Sequence, residues 1–272
     1  MHDFKYARPA SLAAAATLVK KGGADPVFLA GGQTLIPALK MRLRKPSTVI
    51  DLAAIKGLDG IAEKKGKGKD KGLTVVVGAL TTHAAVAGSK LVKARIPALA
   101  ALAEGIGDPQ VRHRGTLGGS IANADPAADY PAAVIALHAE VVTNKRSISG
   151  DAFFKGFFET ALKPGEIVTA VNFRVPDKAA YMKFAQPASR FALVGVLVAK
   201  FGAEVRVAVT GAGASVFRVP DMEKALAKSF SAAALDGIKV SPKDLNSDIH
   251  AAADYRAHLI GVLAKRAVEA CG

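Results

Sequence analysis

Cysteine is all but missing: the only one in 272 residues is Cys271, next to last. No disulfide can form within the chain, and a zinc or iron–sulfur site built from several thiolates is excluded. Tryptophan is absent and aromatic residues make up 6%, so the stacking platforms that single-stranded nucleic acid needs are scarce. No apolar run is long enough for a membrane span; the stretch 191–199 stops at Lys200. The apolar stretch near the N-terminus is short, follows Pro9-Ala10-Ser11 and runs into Lys20 and Lys21, so it reads as a helix capped by Ser11 and not as a secretory signal. Acidic residues are outnumbered, 23 against 37 Lys plus Arg, a formal net charge of +14. A basic surface attracts polyanions whatever its fold, which brings nucleic acid, an anionic membrane or an acidic protein partner into question. Apolar residues are abundant, 50% against 22% charged, which excludes a disordered chain and leaves enough for two or three cores.

Periodicity predicts a small α/β unit first: a helix over 11–21, a strand over 26–30, a helix after Gly32 and a strand over 47–52. The segment 60–72 carries Lys64, Lys65, Lys67, Lys69 and Lys71 among glycines and reads as a solvated hairpin loop; a polyanion-binding tract is the sharper alternative. Next come a strand from Leu73, a helix capped by Thr81-Thr82, helices over 95–106 and 131–138, and strands over 139–143 and 166–175. The phenylalanines of 153–158 read as a plug at a helix end. A Pro-Asp-Lys linker at 176–180 marks a boundary. Beyond it three antiparallel strands (181–184, 193–201, 204–209) precede helices over 221–228, 231–237 and 251–270.

Two glycine pairs carry the chemistry. Gly31-Gly32 follows an apolar strand and is followed by Gln33-Thr34; Gly118-Gly119 follows Thr116 and precedes Ser120 and Asn123. Glycine permits positive φ and close approach of a ligand, and successive free N–H groups at a turn bind an anion. One such loop holds one phosphate, so two suggest a diphosphate gripped from two sides. No GxGxxG follows a strand and no GxxxxGK precedes a Ser or Thr, which disfavours a Rossmann site and a P-loop. After the second pair comes Asp125-Pro126-Ala127-Ala128-Asp129. In a helix, two aspartates four apart share a face, with Asp125 as cap. They are then either a cap and a surface charge, or acceptors for sugar hydroxyls beside the phosphate loop.

AGGQTLIPALKMRL (30–43) and GDPQVRHRGTLGGSIANADPAADYPA (107–132) resemble the two flavin signatures of the molybdenum hydroxylases, in their FAD-binding medium subunit, and the likeness runs nearly end to end. The resemblance implies an α+β fold: a two-part flavin-binding domain of the PCMH/vanillyl-alcohol-oxidase type (1–57 and 58–176), then an α+β C-terminal domain (177–272) with an antiparallel sheet and helices. Leu29, Ala30, Gly31, Gly32, Gln33, Thr34 and Leu35 would wrap the FAD diphosphate. Thr116, Gly118, Gly119 and Ser120, joined by Asn123, would contact the flavin end and the diphosphate, and Asp129 the cofactor's polar chain. Ile106 and Gly107 would border a ring, and Val168 would supply an apolar wall. Tyr181 would cover the isoalloxazine and Lys183 would bind near it. No residue is implied as a general acid, a general base or a metal ligand, and His113 reads as a packing residue.

In the same resemblance FAD is held without a covalent link. The molybdenum cofactor and iron–sulfur clusters sit on partners, a molybdenum large subunit and an iron–sulfur small subunit, in a dimer of heterotrimers. An external acceptor takes the electrons, no nucleic acid is bound, no segment is transmembrane, and the location is the cytoplasm or the inner face of the membrane. Gln33-Thr34 stands where carbon monoxide dehydrogenases carry His-Ser, and Gln186-Pro187 where relatives carry a basic pair. Two other readings compete: a basic polyanion-binding module using the lysine-rich loop, and a stand-alone flavin oxidoreductase. The missing acid–base pair counts against the second.

Overall fold

Parallel strands need crossover connections, and the first fifty residues supply them. Strands Lys5–Ala7, Val27–Leu29 and Thr48–Asp51 form a parallel sheet with the last of them in the middle. Helices Leu12–Lys21 and Leu35–Lys40 make the crossovers, and the Ser11 hydroxyl accepts from Ala14 N–H at 3.2 Å as the first cap. The computed structural model describes residues 1–21, 23–66 and 72–272. Of the lysine-rich loop, Lys64 and Lys65 are in strand Ile61–Lys65, while Lys67, Lys69 and Lys71 lie outside the described residues.

The second sheet has five antiparallel strands in the order Ile61–Lys65, Leu73–Gly78, Val168–Arg174, Glu140–Thr143, Ser147–Ser149. Val77, Val171 and Val141 stand in one row across it and are fully buried. Helix Tyr130–Ala136 is buried on every side because it lies between this sheet and the next, which is why its sequence shows no polar face.

Local chemistry departs from expectation at three places. The helix over 95–106 is split into Lys90–Arg95 and Pro97–Glu104, because Pro97 drives Ile96 out of the helical region to φ −140°, ψ 71°. Residues 125–129 are not helical: Asp125 Oδ1 accepts from Ala127 N–H at 2.9 Å, an Asx turn, and the helix starts at Tyr130 with Pro131 in its first turn. The aspartates therefore share no helix face. Of the phenylalanine cluster only Phe153 is fully buried; Phe157 and Phe158 are exposed at the tip of the hairpin formed by Phe154–Gly156 and Glu159–Thr160.

The third sheet is antiparallel: Lys178–Ala185, Ala192–Phe201, Glu204–Thr210, Phe217–Arg218. Alternation along its second strand sends Val194, Val196 and Val198 toward the long helix Ala253–Ala270, and Leu197 and Ala199 toward the core shared with the second sheet. The segment 231–237 forms only a 3-10 turn, Ala232–Leu235.

Glu166 clamps the turn that leads into the central strand of the second sheet. Its buried carboxylate accepts from Arg146 Nε (2.9 Å), Arg146 Nη2 (3.2 Å), Thr143 Oγ1 (2.9 Å) and Lys163 N–H (2.9 Å). The Arg146 bonds, helped by the other donors, outweigh burial and hold its pKa down at about 2. With the folded value below the ordinary 4.5, ionised Glu166 stabilises the fold above that pH and loses the contribution as pH falls toward 2. The melting-temperature gap between wild type and Glu166→Gln should be widest above pH 4.5 and shrink below it. A gap that stays constant with pH would remove Glu166 from this role.

Candidate cofactor site

A cavity of about 500 Å³ opens where the three sheets meet. Its first wall is the turn after strand Val27–Leu29. Gly32 there has φ +75°, a conformation that favours glycine, and an added Cβ would also push aside the end of the Ile36 side chain. Gly31 touches a distant segment: a Cβ on it would sit 2.2 Å from Arg114 O and 2.8 Å from Gly115 Cα. Among the described residues the N–H groups of Gly32, Gln33, Thr34 and Leu35 make no hydrogen bond, and neither do the Gln33 and Thr34 side chains. Such a run of open donors on a turn is a nest for an anionic oxygen.

The second glycine pair is built differently, which corrects the expectation of two matching nests. Leu117 N–H donates to Thr81 O (3.1 Å), Gly118 N–H to Ala79 O (2.8 Å), Gly119 N–H to Thr116 Oγ1 (3.1 Å) and Ser120 N–H to Thr116 O (3.0 Å). The first two donors fasten helix Leu117–Asn123 to the end of strand Leu73–Gly78, and the other two close its own cap on Thr116. What that helix leaves open toward the cavity is the Ser120 hydroxyl and the Asn123 amide.

Acceptors stand on the other side. Asp125 and Asp129 both line the cavity, brought there by the loop. Burial raises the pKa of Asp125 against the Ala127 N–H bond, and raises that of Asp129 against the pull of Lys183 and the Tyr181 hydroxyl. Tyr181 Oη donates to Asp129 Oδ1 at 2.6 Å, and Lys183 Nζ lies 3.0 Å from the same oxygen. His83 forms part of the wall between Gly115 and Tyr130, its ring 5.3 Å from the tyrosine's. Burial, aided by Arg112, lowers its pKa to about 4, so the ring is neutral at neutral pH. His83 Nδ1 and Tyr130 Oη are buried without a hydrogen-bond partner among the described residues.

Of the residues expected at a site, Ala30, Gly31, Gly32, Gln33, Thr34, Leu35, Ile106, Gly107, Thr116, Gly118, Gly119, Ser120, Asn123, Asp129 and Val168 line this one cavity. Leu29 does not; its side chain packs against Gly32 from behind. Tyr181 and Lys183 do not line it either and stand behind Asp129. Sequence reasoning missed His83, Leu162, Glu166, Ser189, Arg190 and Phe191, which also form the wall. None sits in a glycine motif, and only the packing of sheets and hairpin turns carries them there.

The cavity fits an elongated ligand with an anionic centre, since it joins open backbone donors, polar side chains of both signs and apolar walls. Residues 2–177 match the family described as the FAD binding domain in molybdopterin dehydrogenase. The carbon monoxide dehydrogenase medium chain of Hydrogenophaga pseudoflava is 35% identical, over 98% of this chain and 96% of its own. The nicotine 6-hydroxylase medium subunit of Paenarthrobacter nicotinovorans is 36% identical, over 98% and 97%. A solved structure of reconstituted CO dehydrogenase from Oligotropha carboxidovorans superposes with a TM-score of 0.86 at 32% identity, covering 99% of this chain and 97% of that one. The chain belongs to the FAD-binding medium subunits of the molybdenum hydroxylases. It is the flavoprotein component of an oxidoreductase, and its α+β fold is the one that family shares.

Gly31→Ala should cost about 1–3 kcal/mol in denaturant unfolding, since its Cβ would press on backbone that cannot turn aside. Gly88→Ala, with open space around it, should stay within about 0.5 kcal/mol. Equal stability of the two variants would mean that the loops do not depend on that contact.

Proposed function

We propose that this chain is the FAD-carrying electron-transfer subunit of a molybdenum hydroxylase complex. It takes electrons from an iron–sulfur small subunit and passes them to an external acceptor, while a molybdenum large subunit oxidises the substrate. The assembly is a dimer of heterotrimers in the cytoplasm or at the inner face of the membrane. The observation that carries the reading is the run of open N–H groups from Gly32 to Leu35 on the wall of a cavity of about 500 Å³.

In this reading those N–H groups, with Gln33 and Thr34, hold the diphosphate of FAD. Ser120 and Asn123 reach it from the facing helix. Asp129, with Asp125 beside it, accepts from the cofactor's hydroxyls. Leu29, Ala30 and Leu35 pack the first loop, and Thr116, Gly118 and Gly119 fix the start of the second. Ile106, Gly107 and Val168 give apolar contact and exclude water. Bound FAD supplies a store for two electrons that can be filled and emptied one at a time, and the protein supplies position and environment. The neutral imidazole of His83 adds wall without adding charge.

A lone cysteine gives this chain no means of holding a thiolate-ligated iron–sulfur cluster, so in this reading the cluster that feeds the flavin sits on another chain. Relatives of nearly equal identity are named for carbon monoxide and for nicotine, which supports leaving the choice of substrate to the large subunit. Among the described residues no helix is long and apolar enough to cross a membrane. The division at 57/58 and 176/177 belongs to the same reading, each part carrying one of the three larger sheets.

Purified with the chains it assembles with, the protein should show a visible flavin spectrum. Those chains should include one rich in iron–sulfur cysteines and one containing molybdenum. Absence of FAD from the complete assembly would overturn the reading. Gly32→Val and Gly119→Val should each weaken FAD binding at least about tenfold, a loss of about 1.4 kcal/mol. Wild-type flavin content in both variants would show that neither loop holds the cofactor.

A further inference from the structure

The third sheet does more than cover the cavity. The loop carrying Asp125 and Asp129 belongs to the second sheet's part of the chain, yet its backbone is held by the third. Gly211 N–H donates to Pro126 O (2.7 Å), Ala192 N–H to Ala127 O (3.2 Å), and Thr210 Oγ1 to Pro126 O (2.9 Å) and Ala128 O (2.6 Å). Strand Lys178–Ala185 then adds the two side chains that meet Asp129. The Lys183 side chain is 10% exposed and its ammonium has three acceptors: Asp129 Oδ1 (3.0 Å), Gly105 O (2.7 Å) and Arg190 O (3.1 Å). One buried cation thus ties the carboxylate, the turn leading to Ile106 and Gly107, and the hairpin turn at Arg190.

Room for this arrangement is reserved in the sheet itself. Gly195 faces Lys183 across the ladder, and a Cβ on it would lie 2.3 Å from Tyr181 Oη and 2.9 Å from Thr210 Cγ2. Without glycine there, the tyrosine hydroxyl could not occupy the position from which it reaches Asp129. Neither Tyr181, Lys183 nor Gly195 lines the cavity.

We propose that Tyr181 is a positioning residue, which with Lys183 beside it holds the Asp129 carboxylate in the cofactor-binding arrangement from behind. The inference rests on the reading that Asp129 contacts FAD, and it makes the sheet beyond residue 177 a working part of the site. A buried carboxylate keeps one orientation only when its oxygens are matched by donors, and here one oxygen takes both donors while the group faces the cavity.

The test is a double-mutant cycle on FAD affinity. The protein, purified with the chains it assembles with and stripped of flavin, is titrated with FAD and followed by flavin fluorescence at a temperature where every variant is folded. Tyr181→Phe removes one hydroxyl at constant shape and should weaken FAD about fivefold in the wild-type background. It should change nothing in an Asp129→Ala background, because its only bond is to the Asp129 side chain. Gly195→Ala should repeat the loss, and Lys183→Met should exceed it, at about tenfold or more. Wild-type affinity in Tyr181→Phe, or an equal loss in both backgrounds, overturns the proposal. If Asp129→Ala alone binds FAD like wild type, it is the reading of Asp129 that fails.

Discussion

The backbone of Gly31 lies against the backbone of Arg114 and Gly115, closer than any side chain would allow. One segment follows a strand of the parallel sheet and the other ends the helix Pro109–Arg114, and nothing in the parallel sheet alone requires them to meet. Once they touch, the strand–turn–helix after Val27 and the helix Leu117–Asn123 face each other across one cavity. The nest at Gly32–Leu35 then has a floor, and Ser120 and Asn123 have something to point toward. The glycines of the two motifs serve unlike ends. Gly32 supplies a left-handed backbone, Gly31 a close contact, and Gly118 an N–H that anchors a helix to Ala79.

Buried cations fasten the third sheet to this frame. A charge removed from water is tolerated when acceptors meet it, and carbonyl oxygens at strand and helix ends are the groups available. The Nε groups of Arg206 and Arg256 are left without a hydrogen bond among the described residues. Lys183 takes Gly105 O and Arg190 O; Arg206 takes Ile135 O at 2.7 Å and the Asp151 carboxylate. Arg256 takes Leu193 O (2.7 Å), Gly211 O (3.1 Å) and Asp248 (2.7 Å). Lys183 and Arg206 tie strands of the third sheet to helix ends and the aspartate loop of the preceding part of the chain, and Arg256 binds the long helix to the strand ends beside that loop. The family match stops at residue 177, whereas Ser189, Arg190 and Phe191 are part of the cavity wall.

Charge acquires a different meaning in this setting. A formal +14 suggested a polyanion, but three of the five loop lysines lie outside the described residues. Some cations, Lys183, Arg206 and Arg256 among them, hold carboxylates and carbonyls inside the protein, while Arg44, Arg95, Lys224 and Lys265 pair with carboxylates at the surface. Arg44 and Arg190 do reach the cavity. The basic excess is thus divided between internal fastening, a surface, and the rim of one site.

Sequence by itself determined a good deal. The two glycine motifs, the strand–turn–helix around the first, the antiparallel strands beyond residue 177 and the lack of thiolates for a cluster are all local or compositional, and backbone preference registers them within a few residues. The contents of 125–129 were legible, but their shape was not: an Asx turn and a helix cap compete for the same Asp125 side chain, and only packing chose. Tertiary structure alone decided which loop keeps its donors open, since the partner of Gly118 N–H is Ala79 on another strand end. It also decided that Tyr181 and Lys183 stand behind Asp129 and that His83 is a neutral wall. These are questions about where hydrogen bonds end. The backbone groups that end them come from segments far away in sequence, which meet only when the three sheets close on one another.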